Sequence, residues 1–216
     1  MDSSSQNLET LKDIKRIMER SSRFISLSGL SGIVVGICAL SGATIAWYRI
    51  RSYYKDLVAN NACPSCLKED LMIIASIVFA AALVTAILFT FLKTQKDGVP
   101  IWGNSAKRLL WNTMLPMLAG GFMLLRMIQL DQYQLVAAAS LIFYGLALVN
   151  GSKYTISEVR YLGYAEIILG IINLWLYNHG LICWAIGFGI FHIIYGIVMW
   201  WKYERTSSQP ASEMMN

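Results

Sequence analysis

The sequence predicts an all-α, polytopic integral membrane protein: a bundle of six transmembrane helices arranged as three helical hairpins. Of its 216 residues, 56% are hydrophobic and only 14% are charged, whereas soluble domains usually carry about 25% charged residues. The apolar residues collect into runs of about 20, the length that a helix needs to cross the hydrocarbon core of a bilayer. Lipid-exposed backbone must satisfy its own hydrogen bonds, and no barrel-like alternation is present, so helices are predicted.

An N-terminal region, residues 1–22, precedes the first span and is predicted to be cytoplasmic. Leu8, Leu11, Ile14 and Met18 recur every three or four residues, which predicts a short amphipathic helix over residues 7–20. Two interpretations are open. The helix lies in the membrane interface with its basic side toward headgroups, or it is a solvated leader to the first span.

Six spans are predicted within residues 23–202, and residues 203–216 form a second cytoplasmic tail. The spans cover approximately residues 24–48, 71–92, 109–128, 133–149, 159–177 and 181–201. The connections at 129–132 and 178–180 are only a few residues long. Spans three and four, and spans five and six, are therefore expected to be tight antiparallel hairpins.

The positive charges predict the orientation. With both termini in the cytoplasm, thirteen of the eighteen Lys and Arg residues lie in cytoplasmic segments, as the positive-inside rule requires. The contrary feature is the first external segment, which holds Arg49, Arg51, Lys55 and Lys68. The net charge of +5 is interpreted as attraction to anionic lipid headgroups, not to nucleic acid. The expected location is a bacterial inner membrane, with lipid, a second copy or another membrane protein as partner.

A faint internal repeat is visible. Residues 29–40 align without gaps on residues 163–174, and the Tyr-Gly pair at 144–145 aligns on the pair at 195–196. Three consecutive hairpins of roughly fifty residues would explain both matches, and internal repeats are common in transporters. Chance alignment of apolar helices rich in Gly and Ile is the alternative.

The residues most costly to bury lie in the fifth and sixth predicted spans. Glu166 lies thirteen residues before His179 in the short connection, and His192 lies thirteen residues after it. In two antiparallel helices of equal rise, both side chains should reach the same depth, near the membrane midplane. Asn173 and Tyr177 share the helical face of Glu166. The predicted intramembrane polar site therefore consists of Glu166, His192, Asn173 and Tyr177.

This polar site has two interpretations. A carboxylate inside the membrane is expensive and often marks an ion or proton pathway, so Glu166 and His192 could exchange protons or bind a cationic group. Alternatively, a neutral Glu166 hydrogen-bonds to His192, Asn173 or a hydroxyl and only holds two helices together.

Small residues are predicted to mediate helix packing. Ser28, Gly32 and Gly36 form a stripe on one face of the first span, which would contact another helix of the bundle or a second copy. Gly170 and Gly196 flank the polar residues and are expected to let the fifth and sixth spans approach closely.

The motif Cys63-Pro-Ser-Cys66 falls in the external segment between the first two spans. A loop-closing disulfide is the first interpretation, and redox exchange or half of a zinc site are the alternatives. No second cysteine pair or neighbouring histidine completes a tetrahedral set, so no metal site is predicted. Cys38 and Cys183 lie in predicted spans and should behave as small apolar residues.

The sequence contains no phosphate-binding loop, zinc-protease motif or nucleophile elbow, so no catalytic residue and no cofactor are predicted. The leading hypothesis is a transport or permeation protein that uses Glu166 and His192 as an intramembrane site. The alternative is a non-catalytic membrane scaffold, sensor or regulatory subunit that binds a partner through its transmembrane faces. A third hypothesis is a membrane enzyme acting on a lipid or through the cysteine pair.

Overall fold

The computed structural model describes residues 28–97 and 103–204, which are 92% helical and contain no strand. The predicted amphipathic helix at 7–20 lies outside the described residues, and so do residues 205–216 of the predicted tail at 203–216. The helices are α1 (Gly29–Val58), α2 (Pro64–Asp97), α3 (Asn104–Gln129), α4 (Tyr133–Gly151), α5 (Glu158–Trp175) and α6, the continuous helical stretch 180–204. Short 3₁₀ turns at Ser152–Tyr154 and Tyr177–His179 bracket α5.

The stretch α6 changes its helical form along its length. It runs as α-helix over Gly180–Trp184, as π-helix over Ala185–Phe191, as α-helix over His192–Met199, and again as π-helix over Trp200–Glu204. A π-helical turn is uncommon and often lies at a functional site, because it shifts the side chains that follow it around the helix axis.

Within residues 28–97 and 103–204, four helical stretches are long and apolar enough to cross a membrane: Gly29–Val58, Pro64–Lys96, Tyr133–Tyr154 and Gly180–Tyr203. This composition identifies the chain as a membrane protein. The remaining helices, α3 and α5, have more polar sequences, since α3 contains Asn112 and Arg126 and α5 contains Glu158, Arg160 and Glu166.

The first two helices extend beyond the predicted apolar runs. The segment 49–70, expected to be mostly loop, is helical up to Val58 and again from Pro64. Hydropathy locates the part of a helix that lies in hydrocarbon, but a helix continues into water wherever its residues permit. Cys63 therefore stands at the start of α2 and not within a long loop.

The core of the bundle is built from small residues. Every buried residue of α1 is Gly or Ala. A Cβ atom on Gly36 would fall 2.6 Å from the Gly189 carbonyl oxygen of α6, and one on Gly32 would fall 3.2 Å from the Gly196 Cα. Ser28 is also buried at this end of α1. The small-residue stripe of α1 therefore packs within the bundle, against α6, where backbones approach closely.

The α1–α6 and α4–α5 interfaces repeat the same contacts. A Cβ on Gly196 would lie 2.6 Å from the Gly29 carbonyl oxygen, and a Cβ on Gly145 would lie 2.6 Å from the Gly163 carbonyl oxygen. In both cases the next atoms met belong to an isoleucine four residues further along the opposite helix. These glycines are the ones that the internal sequence alignment pairs, so aligned positions have equivalent packing environments in the two helix pairs.

Helices α2 and α3 lie at the periphery. The most apolar 18-residue stretch of α2 has no buried residue, and Val78 of α2 packs against Gly42 of α1. Among the described residues, α2 and α3 do not pack along each other as α1 packs on α6 and α4 packs on α5. They meet near one end, where the Lys68 ammonium donates to the Ile128 carbonyl oxygen at 3.3 Å.

Candidate functional site

Glu166 of α5 and His192 of α6 lie together in the interior of the bundle. The His192 Nδ1 atom is 3.6 Å from the Glu166 Oε1 atom. Glu166 is 0% exposed and His192 is 5% exposed, so neither side chain reaches the bundle surface. The two residues expected at one depth are therefore in contact, in a buried interface between α5 and α6.

Both ring nitrogens of His192 have further partners. The Nδ1 atom is 3.1 Å from the Gly187 carbonyl oxygen, and the Nε2 atom is 2.7 Å from the Tyr144 hydroxyl. A carbonyl oxygen only accepts hydrogen bonds, so Nδ1 carries the proton. In the neutral ring Nε2 then accepts from the tyrosine hydroxyl. Polar side chains from three helices are thus neighbours in series: Tyr144 of α4, His192 of α6 and Glu166 of α5.

Glu166 has no comparable set of partners. Neither of its carboxyl oxygens has a hydrogen-bond partner among the residues that the structure describes, and 3.6 Å to the imidazole is longer than a normal hydrogen bond. An ionised carboxylate without hydrogen bonds is very costly in an apolar interior. The neutral acid is the form that suits this resting geometry, and charging it requires His192 to take a proton or water to reach the site.

Gly187 makes room for the carboxyl group. A Cβ atom at this position would overlap the Glu166 Oε2 and Leu141 Cδ2 atoms and lie 3.3 Å from the Glu166 Cδ atom. Gly187 belongs to the π-helical segment, and its carbonyl oxygen is the one that binds His192. One residue therefore both leaves space for the carboxyl group and orients the imidazole.

An aromatic column holds the imidazole in place. The rings of Trp184, Phe188 and His192 follow one another along α6, with centroids 5.0 Å and 6.1 Å apart. The Tyr144 ring packs on both Phe188 and His192, at 5.0 Å and 5.4 Å. Such packing restricts the rotation of His192 and keeps its two nitrogens pointed at their partners.

The other predicted site residues lie elsewhere. Asn173 is 1% exposed, and its Nδ2 atom donates to the Leu176 carbonyl oxygen at 3.4 Å. It lies seven residues, about 10 Å of helix rise, from Glu166. Its hydrogen bond is made at the C-terminal end of α5. Tyr177 lies in the 3₁₀ turn after α5, and its side chain is outside the described atoms.

Two predicted packing glycines serve different helices from those expected. Gly170 packs on α4, where its Cβ would meet Ile142 and the Ala138 carbonyl, and Gly196 packs on α1. The prediction that these two residues let α5 and α6 approach each other is wrong. Helical spacing places them on the same face as Glu166 or His192, but it does not say which neighbouring helix lies against that part of the face.

Sequence reasoning did not identify Tyr144 or Gly187 as site residues. Tyr144 appeared only as an aligned position of the internal repeat, and no spacing rule relates it to a histidine 48 residues away. Gly187 stands with Gly189 in a short glycine-containing stretch two residues before Phe191. That stretch was a signal of an irregular helix turn or of a close backbone approach.

Two further polar contacts tie the helix ends. At one end, burial disfavours the charged form of Glu158, but Lys202 and Tyr203 both donate hydrogen bonds to its carboxylate. At the other end, the Tyr133 hydroxyl and the Lys68 ammonium lower the pKa of Asp131 in the connection between α3 and α4. Both carboxylates are therefore expected to be ionised at neutral pH.

The cysteine motif is far from this polar site in sequence and lies at an exposed surface. Cys63 and Cys66 are joined in a disulfide at the start of α2. Cys38 is a half-buried thiol of α1 and Cys183 is a buried thiol of α6.

No protein-family model, curated protein or solved structure matches this chain. Its function is therefore argued from the geometry of its own residues.

Proposed function

We propose that the chain is a six-span protein of the bacterial inner membrane that transports or conducts its substrate, with the Glu166–His192 pair as its intramembrane proton-exchanging site. The observation that carries this proposal is a fully buried carboxyl group, without a hydrogen-bond partner among the described residues, 3.6 Å from an imidazole nitrogen. Intramembrane carboxyl groups in such settings mark proton or ion pathways.

The six-span count rests on how α3 and α5 are packed. Each lies along α4, which is itself long and apolar enough to cross the membrane. The 18 residues of α5 extend for about 27 Å, close to the thickness of the hydrocarbon core. Its membrane-embedded carboxyl group points into the bundle and not toward lipid. This packing supports a path for both helices beside α4 through the bilayer, and the distribution of positive charges favours cytoplasmic termini.

The proton step needs only two groups to change state. Because Nδ1 already carries a proton and Nε2 faces Tyr144, the Glu166 carboxyl does not pass its proton directly to His192. In this proposal water enters after the bundle opens, the carboxyl releases its proton to that water, and Nε2 takes up a proton from water on the Tyr144 side, which leaves a carboxylate beside an imidazolium. The π-helical segment of α6 supplies the opening element in this proposal. Its shift in helical form directly precedes His192, so a return to α-helix would rotate the imidazole relative to Glu166.

The test is proton flux into proteoliposomes that contain the purified protein and a pH-sensitive dye, driven by an imposed membrane potential. Vesicles with wild-type protein are expected to show a larger proton flux than protein-free vesicles. With Glu166→Gln the proton flux is expected to fall to that of protein-free vesicles. The matched control is Glu69→Gln, which makes the same chemical change at an exposed position of α2. Wild-type flux equal to that of protein-free vesicles, or equal flux in wild type and Glu166→Gln, would refute the proposal.

A second candidate function is a non-catalytic scaffold or regulatory subunit. The observations that favour it are the burial of the Glu166–His192 contact and the most apolar 18-residue stretch of α2, in which no residue is buried within the bundle. In that case Glu166→Gln would change only stability, and purification in mild detergent would recover a membrane protein partner at fixed stoichiometry.

A further inference from the structure

The Cys63–Cys66 disulfide lies at the N-terminus of a helix, a position typical of reactive cysteine pairs. Cys63 immediately precedes Pro64, the first residue of the 34-residue helix α2, and Cys66 lies in the first turn. Both cysteines are exposed, whereas the free thiols Cys38 and Cys183 are half-buried and buried. The pair is therefore open to attack by a thiol from outside the protein.

The start of α2 suits a thiolate at Cys63. The Leu67 amide donates to the Cys63 carbonyl oxygen at 3.2 Å, which puts Cys63 in the position that caps the helix. The Cys66 amide points at the Cys63 sulfur at 3.3 Å, and the Ser65 hydroxyl lies 3.4 Å from the same atom. Unpaired amides and the helix dipole favour negative charge at a helix N-terminus, and cysteine reactivity depends on the thiolate.

Holding α1 to α2 does not require this disulfide. It encloses only Pro64 and Ser65, and a short loop is the case in which a cross-link restricts the unfolded chain least. The two helices are already joined by the Arg49–Asp70 ion pair and by the packing of Val78 on Gly42. A purely stabilising role therefore explains the position of the disulfide poorly.

A cleft beside the disulfide offers room for a partner. Both sulfur-bearing residues line it, together with side chains from the end of α1 and from the turn that follows. Ser52, Tyr53, Asp56 and Asn61 supply hydrogen-bond donors and acceptors around this space. The volume of the cleft, about 90 Å³, admits a single side chain such as a cysteine, and the polar groups around it can hydrogen-bond to the backbone of a partner polypeptide.

We propose that Cys63 and Cys66 exchange their disulfide with a cysteine pair of a polypeptide on the external side of the membrane. The partner thiolate attacks Cys63 Sγ, a partner–Cys63 disulfide forms, and the Cys63–Cys66 bond breaks, leaving Cys66 to take up a proton. The second partner thiol then attacks the partner sulfur of this mixed disulfide, and Cys63 leaves as a thiolate. The partner loses two electrons and two protons, and the Cys63–Cys66 pair gains them.

The test uses the full chain in detergent and a short peptide with two cysteines. Wild type is expected to oxidise the peptide stoichiometrically. With Cys38 and Cys183 also replaced by serine, Cys66→Ser keeps the amide that faces Cys63 and is expected to form a mixed disulfide with an oxidised peptide about tenfold faster than the same variant unfolded in denaturant. Cys63→Ser, whose remaining thiol lacks that amide contact, is expected to react at the unfolded rate.

Cys183→Ser serves as the control for loss of an unrelated cysteine and is expected to oxidise the peptide like wild type. Equal rates for folded and unfolded Cys66→Ser, or a wild-type disulfide that the peptide does not reduce, would overturn the proposal. The thermal midpoint of each variant shows that it is folded. The double variant Cys63→Ser/Cys66→Ser is expected to keep its proton flux, so the outcome is independent of the function proposed for Glu166.

Discussion

Replacing Gly187 by alanine introduces a single methyl group at the centre of the polar site. The new Cβ atom overlaps the Glu166 Oε2 and Leu141 Cδ2 atoms, and it lies 3.3 Å from the Glu166 Cδ atom. Leu141 and Glu166 are both 0% exposed, so neither can move toward open space. Overpacking of this kind costs about 1–3 kcal/mol.

The matched control is Gly121→Ala in α3. A Cβ there would meet nothing within 4 Å, and replacing glycine by alanine inside a helix stabilises it by up to about 1 kcal/mol. The expected order of stability is therefore Gly121→Ala at or above wild type, and Gly187→Ala below it. Reversible unfolding in mixed micelles, followed by circular dichroism, measures the difference.

A double-mutant cycle with Glu166→Ala isolates the part of the cost that arises from the carboxyl group. Truncating Glu166 removes one of the two overlaps, so Gly187→Ala should be less destabilising in that background, by about 0.5–3 kcal/mol. If Gly187→Ala and Gly121→Ala shift the unfolding midpoint equally, or if the cycle gives no coupling, Gly187 does not make room for Glu166.

Three further predictions follow from individual contacts. Tyr144→Phe removes the hydrogen bond to His192 Nε2 and leaves that buried nitrogen unpaired, so it should destabilise the protein by about 1–3 kcal/mol in the same unfolding assay; an unchanged midpoint would contradict the contact. Asp131 has a lowered pKa in the folded protein, so its contribution to stability is complete above its unfolded pKa of about 3.9 and is lost as pH falls through the lower folded value. Asp131→Asn should therefore reduce the acid sensitivity of unfolding, and identical pH profiles would refute this. Gly145→Ala and Gly196→Ala should lower the unfolding midpoint by similar amounts, because both would meet a carbonyl oxygen at 2.6 Å; a strong effect of one alone would argue that the two interfaces are not equivalent.

The internal alignment shows which residues occupy the positions of Glu166 and His192 in the other helix pair. The alignment that matches residues 29–40 with 163–174 places Gly32 at the position of Glu166, and the alignment of α4 with α6 places Leu141 at the position of His192. Gly32 in the α1–α6 pair thus stands where the α4–α5 pair carries the acid. Leu141 in the α4–α5 pair stands where the α1–α6 pair carries the base. The Glu166–His192 contact joins the two repeated pairs across the centre of the bundle.

Much of the organisation could be predicted from residue order alone. The helices follow from apolar runs of the required length, because lipid leaves the backbone no other way to satisfy its hydrogen bonds. The common depth of Glu166 and His192 follows from equal helical rise on either side of a short turn. That inference needed only distances along the chain, and the two side chains lie 3.6 Å apart in the structure.

Other features depended on which helices are neighbours. Spacing assigns Gly170 and Gly196 to the faces of Glu166 and His192, yet the structure packs them on α4 and α1. The roles of Tyr144 and Gly187 were likewise invisible, since one lies on a third helix and the other depends on a local change to π-helix. Periodicity fixes the direction of a side chain around its own axis. What that side chain contacts is decided by which helices pack closely, and here the close packing is through glycine and alanine. That packing brings the imidazole of His192 close to the buried carboxyl group of Glu166, with the hydroxyl of Tyr144 on the far side of the ring.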